Sequence, residues 1–280
     1  MTAPFDLPDF DAHEGVHFFE DAASGLRAII AIHSTALGPA AGGTRFWHYA
    51  TNAAAVTDAL RLSRGMSYKN AMADLPLGGG KGVILAPADR VKTPAMLAAY
   101  GRAVDRLGGS YVTAEDVGIG DQDMVAIARE TRFVSGLPVA DAGSAGGDPG
   151  PYTARGVWLG VKAALERRNG PGVAGAHVVI QGVGSVGGGL ARLLAGDGVR
   201  LTIADLDPAR AGRVAEETGA EVVPLDRIMT VAADLFSPNA LGAVLTAETI
   251  PALGAPVVAG GANNQLATPE DALRVQEAGI

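Results

Sequence analysis

A short glycine-rich region of the chain contains two lysines that could act as bases or as ligands for an anion. Only four lysines occur among the 22 basic residues, and Lys69 and Lys81 both fall in this region. Lysine can lose its proton in a desolvated site, whereas arginine is in effect always charged. Lys81 stands in Gly-Gly-Gly-Lys-Gly among apolar neighbours, so we expect burial to lower its pKa towards that of a general base, with Lys69 as a nearby cation acting in the same direction. The lysine count alone is equally compatible with a biased base composition.

A carboxylate in the same half of the chain could complete this chemistry. Asp116 follows the strand-like run 111–114 in the tripeptide Ala-Glu-Asp, where it could exchange a proton with a substrate or balance a lysine charge. The alternative is that these charged residues form surface ion pairs without a function. The lysine segment is not a nucleotide phosphate loop, because Leu75 and Gly82 stand where that motif requires Gly and Ser or Thr.

Other catalytic classes lack their characteristic residues. The chain has no cysteine, which excludes disulfides, thiolate metal sites and cysteine nucleophiles. Neither a GxSxG elbow nor an HExxH helix occurs, and the five histidines are scattered without metal-ligand spacing. We therefore expect no metal site.

A second candidate site is a glycine-rich turn in the other half of the chain. The sequence Gly182-Val-Gly184-Ser-Val-Gly187 directly follows the apolar run 177–181 and directly precedes a helix-like segment. In this dinucleotide-binding pattern Gly182 permits the tight turn, Gly184 lets the pyrophosphate approach the backbone, and Gly187 lets the helix pack close to the strand. The N-terminus of the helix would then face the phosphates.

The end of the next predicted strand indicates which dinucleotide would bind. Asp205 lies about 20 residues beyond the glycine-rich turn, where an acid accepts hydrogen bonds from the ribose hydroxyls. Its carboxylate would repel a 2′-phosphate, and Leu206 and Asp207 supply no positive charge, so NAD is favoured over NADP. The alternative is that Asp205 or Asp207 merely caps a helix.

Around these sites the sequence predicts an α/β protein of two domains, residues 1–150 and 151–280, with the Gly- and Pro-rich segment 143–152 as the linker. Residues 37–47 are predicted as a loop and 75–82 as a turn. In the second domain, strict alternation of strands and helices predicts a Rossmann-type, doubly wound parallel sheet. The predicted strands are 16–19, 26–32, 83–86, 111–114, 177–181, 200–204, 221–223, 234–236 and 256–259. The main predicted helices are 53–66 with Asn52 as N-cap, 94–107, 121–132 capped by Asp121, 153–168 and 208–218.

Composition and charge exclude several classes of partner. The chain has 280 residues, of which 48% are hydrophobic and 19% charged, as in a globular protein. A net charge of −8 argues against binding to nucleic acid or anionic membranes. No apolar stretch reaches the ~18 residues of a membrane span, and the N-terminus lacks the pattern of a secretory signal. We expect a cytoplasmic protein that acts on a small molecule.

Taken in order, these motifs resemble the leucine/phenylalanine/valine branch of the Glu/Leu/Phe/Val amino acid dehydrogenases. The similarity runs from about residue 24 to 266 and rests on LGPAAGGTRFW, GMSYKNAMADLPLGGGKG, YVTAEDVG, QGVGSVG and VVAGGANNQL. The resemblance implies a first domain that binds an amino acid, a second that binds NAD, and a cleft that closes between them. It also implies NAD-dependent, reversible oxidative deamination of an amino acid to the 2-oxo acid and ammonia by a homo-oligomer.

The resemblance further implies roles for individual residues. Lys69 would hold the α-carboxylate of the substrate, Lys81 would be the general base that activates water, and Asp116 would handle the proton of the amino group. The other implied substrate-binding positions are Ala41, Gly42, Gly43, Ala114 and Asn264. The implied cofactor-binding positions are Thr153, Gly182, Gly184, Ser185, Val186, Gly187, Asp205, Asn239 and Asn263.

One position favours an apolar substrate. The related glutamate dehydrogenases carry Lys immediately before Gly-Gly to bind the second carboxylate, whereas this chain has Ala41 there. Burying a carboxylate without a cation is strongly unfavourable. We therefore expect leucine, valine, isoleucine or phenylalanine as the substrate. The residue at position 41 does not separate them, but Ala114-Glu115 resembles the leucine dehydrogenases more than the phenylalanine dehydrogenases.

The chain departs from the resemblance at its end. It stops at Ile280, whereas members of the family continue for some tens of residues that add a strand and part of the pocket. The alternative function is therefore a catalytically silent NAD-binding or interaction protein derived from the family by loss of this segment.

Overall fold

The computed structural model describes residues 4–7, 9–138 and 146–280. The chain divides into two compact units, Met1–Pro149 and Gly150–Ile280. The boundary falls within the segment 143–152 that composition predicts as a linker. Residues 143–145 of that segment lie outside the described residues, and residues 150–152 begin a helix instead of continuing a linker.

The first unit is a five-stranded mixed sheet with helices on both faces. Its elements are β1 (Gly15–Asp21), β2 (Leu26–Ser34), β3 (Ala40–Trp47), α1 (Asn52–Met72), β4 (Gly78–Leu85), α2 (Pro94–Asp105), β5 (Tyr111–Ala114) and α3 (Asp121–Ala128). The strand order is β1-β2-β4-β3-β5, with β3 parallel to both β4 and β5 and the other pairs antiparallel. Ile30 and Ile84 pack towards α2 and α3, whereas Ile29 and Val83 pack under α1.

Two glycine-rich segments of this unit form strands where the sequence predicts a loop and a turn. Residues 37–47 contain β3, and the glycines of 75–82 begin β4. Glycine is usually unfavourable inside a strand unless another group approaches closely. Here a Cβ on Gly80 would lie 2.6 Å from the ring of Tyr111, and one on Gly82 would lie 2.1 Å from the hydroxyl of Tyr100. The glycines therefore make room for buried tyrosines on the neighbouring elements.

Two helix predictions for this unit need correction. The predicted helix 53–66 extends to Met72 as α1, and its N-cap is Thr51, whose side chain accepts from the N–H of Ala54, instead of Asn52. The predicted helix 121–132 ends at Ala128, and its N-cap is Gly120 instead of Asp121.

The second unit is a four-stranded parallel sheet. Its elements are α4 (Gly150–Asn169), β6 (His177–Gln181), α5 (Ser185–Gly196), β7 (Arg200–Ala204), α6 (Pro208–Thr218), β8 (Glu221–Val222), β9 (Leu235–Pro238) and α7 (Asp271–Glu277). The strand order β8-β7-β6-β9 is the beginning of the Rossmann arrangement, which places the glycine-rich turn at the end of the first strand. The predicted Rossmann-type fold is confirmed.

One predicted strand of this unit is wrong. Residues 256–259 form a single parallel bridge, between Phe236 and Val258, and no strand. Only two backbone hydrogen bonds join this segment to Phe236, and Pro256 has no N–H to extend the ladder. None of the helices in the described part of the chain is long and apolar enough to cross a membrane.

Candidate active site

The central region of the first sheet carries Lys81 into a buried position. β4 lies between β2 and β3, and Lys81 pairs with Ala31 of β2. Val83 packs under α1, so Lys81, two residues earlier in the strand, lies on the same face of the sheet. Only 4% of Lys81 is exposed. The flanking glycines and apolar residues correctly indicate that this lysine is desolvated.

The ammonium of Lys81 is paired with the carboxylate that the sequence singles out. Lys81 Nζ donates to Asp116 Oδ2 at 2.8 Å, and Arg45 Nε donates to the same oxygen at 2.9 Å. Arg45 Nη1 also donates to Oδ2 of Asp58 on α1, at 2.8 Å. The result is a buried group of two cations and two carboxylates, drawn from α1, β3, β4 and the loop after β5.

This arrangement shifts the ionisation of both members of the pair. Burial lowers the pKa of Lys81; the carboxylate of Asp116 opposes that change, and the charge of Arg45 adds to it. Burial acts to raise the pKa of Asp116, but the charges of Lys81 and Arg45 outweigh it and hold this pKa at about 2. The site therefore contains an ammonium that can release its proton beside a carboxylate that stays ionised.

Lys69 lies near the same carboxylate. It stands in the last turn of α1 and is exposed, yet the protein around its ammonium lowers its pKa, and the negative charge of Asp116 opposes that change. Both predicted lysines therefore act electrostatically on Asp116. The sequence predicts Lys69 as the cation that lowers the pKa of Lys81, but the structure gives this role to Arg45.

Two glycines of β3 allow the backbone of the site to pack closely. A Cβ on Gly43 would lie 2.2 Å from the carbonyl oxygen of Glu115 and 2.8 Å from Cβ of Asp116. A Cβ on Gly42 would lie 1.8 Å from the carbonyl oxygen of Gly80. Since no side chain fits, the β3 backbone forms the wall beside Asp116.

The two predicted alanines lie on the strands that meet at this wall. Ala41 belongs to β3 and Ala114 ends β5, where it pairs with Gly43. Both are half-buried, and each contributes only a methyl group.

The glycine-rich turn of the second unit fits a dinucleotide phosphate. Gly182 has a φ of +85°, and a Cβ on Gly187 would lie 1.9 Å from the carbonyl oxygen of Gly182, so both positions require glycine. Gly184 is the N-cap of α5, with no side-chain hydrogen bond to the helix N-terminus, and the space beside its Cα is open. Ser185 and Val186 form the first turn of α5. The N-terminus of a helix can hold a phosphate.

Asp205 follows β7 and supports this turn. Its Oδ2 accepts from the backbone N–H of Val183 at 2.7 Å, and its Oδ1 accepts from the N–H of Asp207 at 2.9 Å. The sequence shows no positive charge near Asp205 in the two following residues, but Arg210 Nη1 on α6 donates to Asp205 Oδ1 at 3.1 Å. The sequence prediction considers only Leu206 and Asp207, so it does not include this cation on α6. Asp207 caps α6 by accepting from the N–H groups of Ala209 and Arg210.

The remaining predicted positions of the second unit are Asn239, Asn263, Asn264 and Thr153. Asn239 follows β9; its Oδ1 accepts from the N–H of Gly261 at 2.9 Å, which joins the β9 end to the segment holding Asn263 and Asn264. Asn264 adopts a positive φ of 48°. Thr153 is an exposed residue in the first turn of α4.

The sequence prediction misses two members of the charged group and a tyrosine that donates to it. Arg45 and Asp58 are not predicted as functional, and neither is Tyr49, whose hydroxyl donates to Asp58 Oδ2 at 2.6 Å. Only the presence of Arg45 directly after Gly-Gly-Thr could have drawn attention to it. In the described ranges no group of three or more His, Cys, Asp or Glu residues could hold a metal ion.

A Rossmann-type unit with a glycine-rich turn, in one chain with a buried lysine–carboxylate pair, defines the class of the protein as an oxidoreductase. Residues 13–133 match the family described as "Glu/Leu/Phe/Val dehydrogenase, dimerisation domain". A leucine dehydrogenase from Thermoactinomyces intermedius is 46% identical over 277 residues, which cover 99% of this chain and 75% of that protein. The chain belongs to the Glu/Leu/Phe/Val dehydrogenase family of amino acid dehydrogenases, as its motifs predict.

Other relatives differ in their named substrates. A valine dehydrogenase from Streptomyces virginiae is 46% identical over 265 residues, covering 93% of this chain and 74% of that protein. The crystal structure of an L-tryptophan dehydrogenase from Nostoc punctiforme aligns with a TM-score of 0.71 and 42% identity, covering 96% of this chain and 76% of that one. A hetero-hexameric glutamate dehydrogenase from Thermus thermophilus aligns with a TM-score of 0.74 and 25% identity, covering 91% of this chain and 66% of that one.

Proposed function

We propose that this protein catalyses the NAD-dependent, reversible oxidative deamination of an apolar L-amino acid. The observation that carries the proposal is the buried pair of Lys81 and Asp116, at 2.8 Å, beside a wall of bare β3 backbone. A lysine with a lowered pKa next to an ionised carboxylate suits the proton transfers that deamination requires.

Each step of the reaction has a residue to carry it. Lys69 binds the α-carboxylate, while Asp116 accepts and returns the proton of the amino group, near which Asn264 also binds. NAD, when bound, would supply the hydride acceptor for the Cα–H bond, which would leave the substrate as an iminium. Lys81 takes a proton from the water that adds to this iminium, and the carbinolamine then collapses to the 2-oxo acid and ammonia.

The residues of the wall favour an apolar side chain on the substrate. Ala41 and Ala114 contribute methyl groups and no charge, so a second substrate carboxylate placed beside them would lack a cation. Relatives named for leucine, valine and tryptophan support the same substrate class.

The surroundings of Asp205 favour NAD over NADP. Arg210 lies 3.1 Å from Asp205 and 3.5 Å from Asp207, so one cation faces two carboxylates and the local charge remains negative. A 2′-phosphate at the adenosine ribose would be repelled by that charge. Thr153, Asn239 and Asn263 would hold the nicotinamide part.

We also propose that the protein works as a homo-oligomer. The family matched by residues 13–133 is described as a dimerisation domain, and most oligomers of soluble proteins are symmetric assemblies of one chain. Light scattering after size-exclusion chromatography measures the assembly directly.

The test of the proposed function is NADH absorbance at 340 nm. Purified protein is incubated with NAD and each of leucine, valine, isoleucine, phenylalanine, tryptophan and glutamate. We expect turnover with at least one apolar amino acid, no turnover with glutamate, and loss of at least about 1,000-fold in Lys81→Met. The matched control is Lys162→Met, since Lys162 pairs with Asp197 on the second unit and lies outside the proposed chemistry. NADH binding without turnover on any substrate would overturn the proposal in favour of a non-catalytic NAD-binding protein.

A further inference from the structure

Two cations share one oxygen of the proposed catalytic aspartate. Lys81 Nζ and Arg45 Nε both donate to Oδ2 of Asp116, at 2.8 and 2.9 Å. The second edge of the Arg45 guanidinium donates to Asp58 Oδ2 at 2.8 Å, and Tyr49 donates to that same oxygen at 2.6 Å. Arg45 is therefore held from both sides, with only 9% of its side chain exposed.

During the proposed reaction Asp116 loses the positive charge of Lys81, and Arg45 can supply the remaining counter-charge. When Lys81 releases its proton, Asp116 loses one of its two cationic partners inside a buried site. A buried carboxylate without a cation tends to take up a proton and so become neutral. Arginine does not lose its proton in proteins, so it remains a counter-charge through the whole cycle.

Building on the proposed function, we propose that Arg45, held in place by Asp58, is a positioning residue that orients Asp116 and holds it ionised, ready to accept the proton of the substrate amine, while Lys81 releases and regains its own proton. The charged group consists of Lys81 on β4, Arg45 on β3, Asp58 on α1 and Asp116 after β5, and its formal charges sum to zero. Lys69 on α1 adds a further cation nearby. On the β2 side, Ala31 pairs with Lys81 and Ile29 packs on the same face; the histidine of that strand, His33, shares a hydrogen bond of 2.7 Å with Ser67 of α1.

Removing the charge of Arg45 and removing the charge of Asp58 should shift the pKa of Lys81 in opposite directions. Arg45→Met removes a positive charge near Lys81 and leaves Asp58 without its cation, so the ammonium becomes harder to deprotonate. Asp58→Asn removes a negative charge, so the ammonium becomes easier to deprotonate. A residue with a purely structural role would lower the rate at all pH values without moving the profile.

The experiment is the pH profile of kcat/KM for the best amino acid substrate. We expect the acidic limb to move up by at least about 0.5 pH unit in Arg45→Met and down by a similar amount in Asp58→Asn. Arg45→Lys should return the limb to within about 0.2 unit of the wild type, because the charge is kept, while kcat stays reduced, because one ammonium cannot hold both carboxylates. The control is Arg102→Met, which removes a half-exposed arginine paired with Glu130 at 3.4 Å elsewhere in the unit.

A second readout does not depend on turnover. Because the chain has four lysines, protein labelled with 13C at lysine Cε gives at most four signals, and the signal of Lys81 is the one missing in Lys81→Met. Its titration midpoint should move in the same two directions as the pH limb. If no amino acid is turned over, the proposed function fails while these midpoints still decide the role of Arg45. Midpoints that move in the same direction in both variants, or by less than about 0.2 unit, would overturn the inference.

Discussion

The buried carboxylate of Asp116 should make a measurable contribution to the stability of the first unit, and Asp116→Asn isolates it. The pKa of this group is lowered from 3.8 to about 2 by its two cations. At about 1.36 kcal/mol per pKa unit, the ionised form contributes about 2.5 kcal/mol to the free energy of unfolding at pH 7. Asparagine keeps the shape but carries no charge, so the cations of Lys81 and Arg45 lose their shared partner. Breaking a buried pair in this way costs up to about 3–5 kcal/mol in other proteins.

The contribution of Asp116 to the free energy of unfolding should fall as the pH is lowered. A carboxylate with a lowered pKa stabilises the folded state above its unfolded pKa, and this stability is lost as the pH falls through 3.8 towards 2. The difference between the wild type and Asp116→Asn should therefore shrink to about 1 kcal/mol at pH 3. The double variant Lys81→Met/Asp116→Asn should lose less than the single variant, since it leaves no unpaired ammonium.

The assay is urea unfolding of the first unit at pH 7 and pH 3. The chain has two tryptophans, Trp47 and Trp158, so a Trp158→Phe background leaves the fluorescence of Trp47 as a probe of the first unit alone. Asp74→Asn, at an exposed position of the same unit, is the control and should change stability by less than about 0.5 kcal/mol. A loss at pH 7 no larger than in this control, or one that stays constant down to pH 3, would refute the reasoning.

Three further predictions concern two close backbone contacts and the raised pKa of one carboxyl group. Gly43→Ala places a Cβ 2.2 Å from a backbone oxygen and should cost about 1–3 kcal/mol in urea unfolding, whereas Gly156→Ala, where the space is open, should be neutral or stabilising. Gly187→Ala, with a Cβ 1.9 Å from the turn, should weaken NADH binding at least about tenfold by fluorescence titration, and Gly196→Ala on the same helix should not. Burial and the neighbouring Asp121 raise the pKa of Glu115 to about 7. Because a carboxyl with a raised pKa resists ionisation in the folded state, it lowers stability as the pH rises from 4.5 to 7. Glu115→Gln should therefore flatten the decline in Tm over that range.

The second unit follows closely from its sequence because its signals are local. Apolar runs alternate with helical segments, and the alternation itself requires a parallel sheet, so the central strands β6 and β7 match their predicted ranges. The strand predicted over residues 256–259 is wrong. This short apolar run lies beside β9 at the edge of the sheet, where it forms only one bridge. Periodicity does not reveal whether a neighbouring strand is available to pair.

The first unit is harder to predict because its important contacts are long-range. The glycines of β3 and β4 look like turn residues until the tyrosines and backbone segments that need the space are known. The desolvation of Lys81 can be read from its neighbours in sequence, but the group around it cannot. Arg45 meets a carboxylate 71 residues away and another 13 residues away, and a single sequence carries no signal that joins them.

The hydrogen bond from Val183 to Asp205 also bears on attempts to re-engineer the coenzyme preference. A carboxylate whose oxygens already hold two main-chain amides is part of the scaffold of the loop that it flanks, so replacing it with a neutral or basic side chain would loosen the proposed phosphate site together with the proposed ribose contact. A change towards NADP is better attempted from Leu206, which is 84% exposed. A cation introduced there could reach an added phosphate while the amide contacts of Asp205 stay intact.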